Sequence, residues 1–280
     1  MKAALFDYTR PADLQQGLQL LAEGAGDTKP MGGSQSLGPM LNLRLARPRA
    51  VVDVSRLPGM REVTVEAGAL RIGGSVTHAE IEDGVFPELR GTLLQTVAAG
   101  IAYRAVRNRG TVAGSLAHAD PAADWVLAMT ALAARLEIVS ASGKRLLPME
   151  RFMLGAYTTA LEAGELIAAV HIPRLGADAR WGYTKFCRKP GEFAEASCCA
   201  VFDADSGFAR IVIGALDGAP RALPGLAAAF AASGALPSRD EVQAAIAAAA
   251  PGKDAVDRKL IAATLRRCLE EVLGHEKESA

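Results

Sequence analysis

The sequence predicts an α+β fold in two domains, and three observations support this prediction. Strand and helix signals are mixed up to about residue 174, whereas beyond it three strands come first and three helices rich in Ala and Leu follow. Strands that precede a run of helices are typical of a separate α+β domain. The short stretch 176–178, GAD, has the composition of a linker. We therefore expect domains at residues 1–176 and 177–280, and 280 residues are enough for two cores.

Charge and hydropathy exclude several classes of protein. Lys and Arg number 31, and so do Asp and Glu, so the chain lacks the basic surplus of proteins that bind nucleic acid or anionic membranes. The longest apolar runs are far short of the ~20 residues that a membrane span requires. The first residues carry charges and no apolar core of a signal peptide. We expect a cytoplasmic protein without a transmembrane segment.

The early elements of the chain follow from apolar spacing and turn signals. A helix is predicted over Pro11–Ala22, because Leu14, Leu18 and Leu21 fall on one helical face. Pro suits the first helical turn, and a Gly after the last turn ends the helix. Four strand signals follow, at Lys29–Met31, Ala50–Val54, Arg61–Glu66 and Ala69–Ile72, of which the last two read as a hairpin.

Helices dominate the next stretch. Thr77 and Glu80 have the spacing of a capping box, so a helix is expected over Thr77–Glu82. His78 lies in that helix, where a surface or capping role is the expectation. Further helices are predicted over Pro87–Ala98 and Val126–Leu136. After them come a hairpin at Leu136–Val139 and Lys144–Leu147 and a strand over Glu165–Pro173.

The C-terminal part reads as a sheet followed by helices. Its strands are predicted at Gly182–Cys187, Ala196–Phe202 and Ala209–Gly214, and its helices at Leu223–Ala232, Arg239–Ala249 and Asp254–Leu273. All four cysteines of the chain lie in this part, and their spacing matches no zinc or iron–sulfur pattern. They are Cys187, Cys198, Cys199 and Cys268. We therefore expect reduced, mostly buried thiols and predict no metal ligands.

Two stretches rich in Gly and Ser carry the functional signal. One is Met31–Pro39, MGGSQSLGP, and the other is Arg107–Asp124, RNRGTVAGSLAHADPAAD. Small residues let a ligand approach the backbone, whose N–H groups can then bind an anion, and the hydroxyl groups of Thr and Ser add donors with little bulk. Two such loops in one chain predict one phosphate-bearing ligand held from two sides.

Neither stretch is a standard nucleotide motif. No Lys follows the first glycines as a P-loop requires, and the G-x-G-x-x-G pattern of dinucleotide-binding folds is absent there. Two features stay open at this point. The arginines Arg104, Arg107 and Arg109 form either a solvated face or a site that favours an anion. The segment Lys185–Ala194, KFCRKPGEFA, is either an exposed charged loop or a loop that covers a ligand.

Taken together, these motifs resemble a known family. The segment GGSQSLGPMLNLRLARP, followed by VRNRGTVAGSLAHADPAAD, resembles the FAD-binding medium subunit of the molybdenum hydroxylases. That family includes carbon monoxide dehydrogenase-like enzymes, xanthine dehydrogenase and bacterial dehydrogenases of N-heterocycles. The segments LPGMREVTVEAGALRIGGSVTHAEIE, KFCRKPGEFA and IVIGALDGAPRALP extend the resemblance over essentially the whole chain.

The resemblance implies a fold. Residues 1–176 would form an FAD-binding domain of the vanillyl-alcohol oxidase (PCMH) type, made of two α+β subdomains at approximately 1–57 and 58–176. Residues 177–280 would form a small C-terminal α+β domain with an antiparallel sheet and a helix bundle.

The resemblance also implies a role for individual residues. The first loop would cradle the FAD pyrophosphate through its backbone, and the second would approach the diphosphate and the ribityl side. His118 would lie near the polar chain of the cofactor, where Asp124 would accept hydrogen bonds from sugar hydroxyls. Lys185 and Phe193 would lie near the flavin ring. The expected FAD contacts are thus Gly32, Gly33, Ser34, Gln35, Ser36, Thr111, Gly114, Ser115, His118, Asp124, Lys185 and Phe193, and no catalytic acid or base is assigned.

Finally, the resemblance implies partners. Substrate would be oxidised at a molybdenum cofactor in a large subunit, and electrons would reach the flavin through two [2Fe–2S] clusters in a small subunit. This chain would be the electron-exit subunit of a heterotrimer, expected to form a dimer of heterotrimers. Two alternatives are a stand-alone flavin oxidase or dehydrogenase and a non-catalytic nucleotide-binding assembly subunit. The substrate (carbon monoxide, an aldehyde, a purine or another N-heterocycle) and the final electron acceptor stay open.

Overall fold

The N-terminal residues form a small parallel sheet. The computed structural model describes residues 2–66 and 68–278, and only the backbone of 275–278. The elements of this first layer are β1 (Asp7–Thr9), α1 (Leu14–Glu23), β2 (Thr28–Met31), α2 (Leu37–Asn42) and β3 (Ala50–Asp53). The strand order is β1-β3-β2, and both pairings are parallel. Helix α1 begins later than Pro11 because the side chain of Asp13 accepts from the backbone N–H of Gln16, 2.8 Å away, and caps it there.

The middle of the chain forms a five-stranded antiparallel sheet with helices between its strands. The elements are β4 (Val63–Glu66), β5 (Ala69–Gly73), α3 (His78–Glu82), α4 (Leu93–Gly100), α5 (Arg104–Arg107), α6 (Val112–His118), α7 (Asp124–Ala131), β6 (Arg135–Ser140), β7 (Gly143–Pro148), β8 (Met153–Gly155), β9 (Thr158–Thr159) and β10 (Leu166–Pro173). The order of the sheet is β4-β5-β10-β6-β7, and β8 and β9 form a separate two-stranded ribbon.

Two of the predicted helices in this region are wrong in their bounds. The helix expected over Pro87–Ala98 is a short 3₁₀ turn followed by α4, because Gly91 adopts a positive φ of 67° and breaks it. The helix expected over Val126–Leu136 begins at Asp124 and ends at Ala131, and the chain turns at Ala133 into β6. The capping box of Thr77 and Glu80 is confirmed, since both of its hydrogen bonds are present.

The C-terminal part is an antiparallel sheet covered by three helices. Its strands lie side by side in chain order, and its last helix is longer than predicted. The elements are β11 (Arg180–Phe186), β12 (Ala196–Asp203), β13 (Phe208–Gly214), β14 (Arg221–Ala222), α8 (Pro224–Ser233), α9 (Arg239–Ala249) and α10 (Ala255–Glu278). The boundary predicted at residues 176 and 177 falls between β10 and β11, and the division into domains stays a prediction.

Helix α7 joins the two larger sheets. All but its first residue are buried, which is expected for a helix that is apolar all round. Its side chains share a core with Cys199 and Val201 of β12, whereas the opposite face of β12 packs against α8, α9 and α10. The first residue of this central helix is Asp124. In the described part of the chain, no helix is long and apolar enough to cross a membrane.

Candidate functional site

The two glycine loops are in direct contact. A Cβ atom on Gly33 would lie 1.8 Å from the backbone oxygen of Arg109 and 2.8 Å from Cα of Gly110. A Cβ on Gly32 would lie 2.7 Å from Oγ1 of Thr111. Real Cβ atoms do not approach backbone atoms this closely, so glycine is required for the loops to meet. Both loops thus contribute to one surface.

The first loop leaves its backbone donors free. Among the described residues, no N–H group from Gly32 through Ser36 donates to a backbone carbonyl. Ser34 adopts the left-handed conformation at φ 62°, and Nε2 of Gln35 donates to the oxygen of Gly33 at 2.9 Å, which holds the turn. The amide of Gln35 is therefore used within the loop. Consecutive free N–H groups form a surface that favours an anion.

The second loop is held by backbone hydrogen bonds to the segment that connects β5 and α3 and to the first residue of α3. The backbone N–H of His78 donates to the oxygen of Gly110 at 3.0 Å, and that of Val112 donates to the oxygen of Val76 at 3.1 Å. Thr111 caps α6, since its Oγ1 accepts from the N–H of Gly114 at 3.2 Å. The hydroxyl of Thr111 is therefore already an acceptor within the loop.

A cavity of about 820 Å³ opens between the loops, which is the size range of sites for large organic ligands. Eleven of the twelve predicted site residues line it: Gly32, Gly33, Ser34, Gln35, Ser36, Thr111, Gly114, Ser115, His118, Asp124 and Phe193. Within the described residues, Lys29 is the only Lys or Arg on its wall, so a bound anion would be met mainly by backbone N–H groups. Phe193 is 65 % exposed at the rim, where Tyr103 is exposed too.

Lys185 is the predicted site residue that does not line the cavity. Its ammonium donates to Oδ1 of Asp124 at 2.8 Å and to the oxygen of Gly100 at 2.7 Å. The hydroxyl of Tyr183 donates to the same carboxylate oxygen, and burial together with the charge of Asp124 raises the pKa of this phenol well above its usual value. Lys185 and Tyr183 therefore hold Asp124 from behind, while Asp124 itself faces the cavity.

The histidine end of the second loop packs against a residue that the sequence did not single out. The rings of His118 and Tyr157 lie 5.3 Å apart, and Tyr157 is 61 % exposed. The hydroxyl of Tyr157 donates to Oδ2 of Asp120 at 3.2 Å. Both Asp120 and Tyr157 line the cavity. The aromatic ring of Tyr157 comes from the β8–β9 ribbon, 39 positions after His118, so no local motif indicates it.

Two of the three arginines before Gly110, Arg104 and Arg107, are paired with carboxylates outside the cavity. Arg107 and Arg104 both contact the carboxylate of Glu82, at 2.7 and 2.8 Å, and Arg104 also contacts Asp83 at 2.6 Å. These arginines are absent from the cavity wall. Of the two interpretations left open by the sequence, a site that favours an anion is therefore not supported, and a solvated face describes Arg104, which is half exposed, but not Arg107, which is largely buried in its pair with Glu82.

The expected surface or capping role of His78 is wrong. The side chain is buried, with 4 % exposure, and it lies on the cavity wall. Burial, and secondarily the positive charge of Arg107, lower its pKa to about 4, so the ring is neutral at neutral pH. Nδ1 of the ring accepts a hydrogen bond from the indole nitrogen of Trp125, 3.0 Å away. The two residues are 47 positions apart in the chain, and no spacing rule in the sequence connects them.

A second cavity, of about 890 Å³, lies between α9 and α10. It is slightly larger, but it is lined mainly by apolar side chains and the stems of long cations on two helices, and it has none of the loop glycines. The loop cavity is therefore the better candidate for a ligand. Its free N–H groups suit a diphosphate, its carboxylate at Asp124 suits sugar hydroxyls, and its rim aromatics suit a planar ring.

Comparison with known proteins agrees with this chemistry. Residues 4–175 match the family described as the FAD binding domain in molybdopterin dehydrogenase. The chain is 36 % identical to the nicotine 6-hydroxylase medium subunit of Paenarthrobacter nicotinovorans over 229 residues, which cover 80 % of this chain and 79 % of that protein.

Solved structures show the same likeness over nearly the full length. A chain of quinoline 2-oxidoreductase from Pseudomonas putida 86 is 32 % identical and superimposes with a TM-score of 0.85, covering 98 % of this chain and 99 % of the other. A chain of carbon monoxide dehydrogenase from Hydrogenophaga pseudoflava, in a form that lacks the Mo-pyranopterin moiety of its cofactor, is 29 % identical with a TM-score of 0.88, at the same coverage.

Proposed function

The chain belongs to the family of FAD-binding domains in molybdopterin dehydrogenases, and from this premise we propose that it is the electron-transfer subunit of a molybdenum-dependent hydroxylase or dehydrogenase. In this role it receives electrons from [2Fe–2S] clusters of a small subunit and passes them to an external acceptor. Oxidation of the substrate takes place at the molybdenum cofactor of a large subunit. The proposal extends to a dimer of such heterotrimers, which the family resemblance implies, and to a location in the cytoplasm.

One observation carries the proposal: two glycine loops, 77 positions apart at Gly33 and Gly110, touch each other and line one cavity with free backbone donors. A site of this kind binds a long ligand with an anionic centre, which is the shape and charge of FAD. When bound, FAD supplies electron exchange between a carrier and an acceptor.

The residues of this chain then have distinct tasks. The backbone of Gly32–Ser36 binds the diphosphate, and Thr111, Gly114 and Ser115 bring a second stretch of backbone close to it. Asp124, held by Lys185 and Tyr183, accepts from sugar hydroxyls of the cofactor, and His118 lies beside the polar chain. Phe193 covers one face of the planar ring at the rim. Lys185 acts on the cofactor through Asp124.

Native purification tests this function. The chain is purified from its host without denaturation, and its visible spectrum is recorded beside a gel of the proteins that accompany it. We expect an FAD spectrum, iron–sulfur absorbance and two additional bands. FAD without partner chains would instead indicate a stand-alone flavoenzyme, and a colourless protein would contradict FAD binding itself.

A further inference from the structure

The buried contact between Trp125 and His78 determines which nitrogen of the histidine carries a proton. The indole Nε1–H of Trp125 lies 3.0 Å from Nδ1 of His78, and both side chains are buried. An indole nitrogen can only donate, so Nδ1 must accept and cannot carry a hydrogen. In a neutral imidazole the proton then resides on Nε2.

The imidazole is neutral for a physical reason. The ring is largely shielded from water, and the nearby guanidinium of Arg107 opposes a second positive charge, so its pKa is lowered to about 4. Arg107 is itself held by the carboxylate of Glu82, with contacts at 2.7 and 2.8 Å. At neutral pH the ring therefore has one protonation state and one tautomer.

The Nε2 side of the ring adjoins the glycine of the second loop. A Cβ on Gly110 would lie 2.6 Å from Nε2 of His78, so the ring packs directly on this residue of the cavity wall. In the part of the chain that the structure describes, Nε2 has no hydrogen-bond acceptor in the protein. Nε2 is not a fully buried atom, so it is open to the cavity, where water meets it in the free protein and a bound ligand can supply the acceptor instead.

We propose that His78 is a neutral hydrogen-bond donor to the bound FAD and that Trp125 is the positioning residue that directs this donor into the cavity. The inference rests on the FAD binding of the proposed function. It adds a third contact region, at the start of α3, to the two glycine loops. The acceptor is an oxygen of the cofactor's polar chain or an acceptor atom of its ring, and the experiments below distinguish them.

Trp125 has a definite part in this arrangement. If its N–H is removed, Nδ1 loses its donor and the proton can move from Nε2 to Nδ1. In that tautomer Nε2 presents a lone pair to the cavity, where it repels an acceptor atom. A Trp125→Phe variant should therefore weaken FAD binding although Trp125 does not itself reach the cavity wall.

Reconstitution of the full-length apoprotein tests the proposal. We expect His78→Phe to weaken FAD binding about tenfold and Trp125→Phe to weaken it about threefold, measured by flavin fluorescence. Trp181→Phe is the matched control, since it makes the same change in β11, away from the cavity wall, and should bind FAD as the wild type does. Folding of each variant is checked by far-ultraviolet circular dichroism.

The visible spectrum separates the two kinds of acceptor. A shift of the flavin absorption bands in His78→Phe, together with the weaker binding, assigns the acceptor to the ring. Weaker binding with an unchanged spectrum assigns it to the polar chain. Equal affinity of wild type, His78→Phe and Trp125→Phe would overturn the proposal. If the wild-type protein itself binds no FAD, the proposed function is refuted, whatever the variants do.

A second measurement does not depend on the folding of any variant at His78. Nitrogen-15 correlation spectra of the histidine rings report the tautomer of each of the four histidines, with the other three replaced in turn for assignment. We expect the Nε2–H form of His78 in the apoprotein, and a shift of its Nε2 signal when FAD is added. An Nδ1–H tautomer, an imidazolium, or an Nε2 signal indifferent to FAD would each refute the inference.

Discussion

The ammonium of Lys185, on the C-terminal sheet, lies 2.8 Å from Oδ1 of Asp124, the first residue of α7. Both side chains are largely shielded from water, with 13 % and 9 % exposure. A buried carboxylate requires such a partner, because its desolvation is otherwise uncompensated. The contact therefore ties the position of a cavity-lining carboxylate to the C-terminal sheet, and the two parts of the chain build the site together.

Replacing Lys185 with Met tests this tie. The variant leaves Asp124 buried with Tyr183 as its remaining side-chain donor, so we expect the free energy of unfolding to fall by about 3 kcal/mol. Urea unfolding measures the loss. Arg188→Met is the matched control, because Arg188 is 80 % exposed and its pair with Glu195 should contribute less than about 1 kcal/mol. Equal losses in the two variants would contradict the tie.

A single methyl group on Gly33 should separate the two loops. In Gly33→Ala the new Cβ would meet the backbone of Arg109 at 1.8 Å, so one loop must move. We expect a loss of stability of about 1–3 kcal/mol and at least a tenfold loss of FAD affinity, read from unfolding curves and flavin fluorescence.

Gly225→Ala serves as the control for that substitution. Its Cβ would meet nothing within 4 Å, and the residue lies near the start of α8, so alanine should be neutral or slightly stabilising there. If Gly33→Ala retains FAD as firmly as Gly225→Ala does, the two loops do not form one binding surface.

His78 should make stability depend on pH in the mildly acidic range. Its pKa is about 4 in the folded chain, against 6.5 for a histidine that is free of burial and of neighbouring charges. Between these values the unfolded chain binds a proton that the folded chain does not, so stability falls as the pH decreases from 6.5 to 4. We expect a loss of about 2–3 kcal/mol in urea unfolding over that window. If the free energy of unfolding of His78→Phe falls just as steeply with decreasing pH, another group causes the dependence.

Asp53 should act in a lower pH window. Burial raises its pKa, but hydrogen bonds from Ser55, Tyr8 and Arg10 lower it more, to about 2 from 3.8. A carboxylate with a lowered pKa stabilises the fold above its unfolded pKa, and this contribution is lost as the pH falls through the folded value. We expect Asp53→Asn to lower the free energy of unfolding by about 1–2 kcal/mol near neutral pH. The variant should also lose less stability than the wild type as the pH falls from 3.8 to 2.

Asp217→Asn is the control for the acid limb. Asp217 is 79 % exposed and pairs with Lys253, so its replacement should leave stability within about 1 kcal/mol at every pH. If Asp53→Asn and the wild type lose the same free energy of unfolding as the pH falls, Asp53 is not the cause of that loss.

Local patterns predicted much of the fold because they act over a few residues. The capping box at Thr77 and Glu80 is present, and the strand Glu165–Pro173 is found as β10. The bounds of the helix near Val126 were wrong, because the apolar run continues from α7 through a turn into β6. A run of buried apolar residues looks alike in a helix and in a central strand.

The resemblance to the FAD-binding medium subunits is confirmed by the family match and by the relatives. The individual FAD contacts and the domain bounds stay predictions. The structure nevertheless distinguishes residues that can touch a ligand from one that cannot. Asp124 and Phe193 line the cavity, whereas Lys185 does not line it and is bonded to Asp124 instead. Spacing along the chain could not make that distinction, because Lys185 and Phe193 belong to the same short segment.

The order of amino acids was enough to identify the two glycine loops, since only glycine allows backbones to approach closely and this requirement is visible in the letters themselves. Folding alone decided which side chains meet across the cavity. His78 and Trp125 lie 47 positions apart, and His118 and Tyr157 lie on separate elements. Such contacts depend on how α3 packs against α7 and how α6 packs against the β8–β9 ribbon, and packing is a property of the whole core that no local spacing encodes.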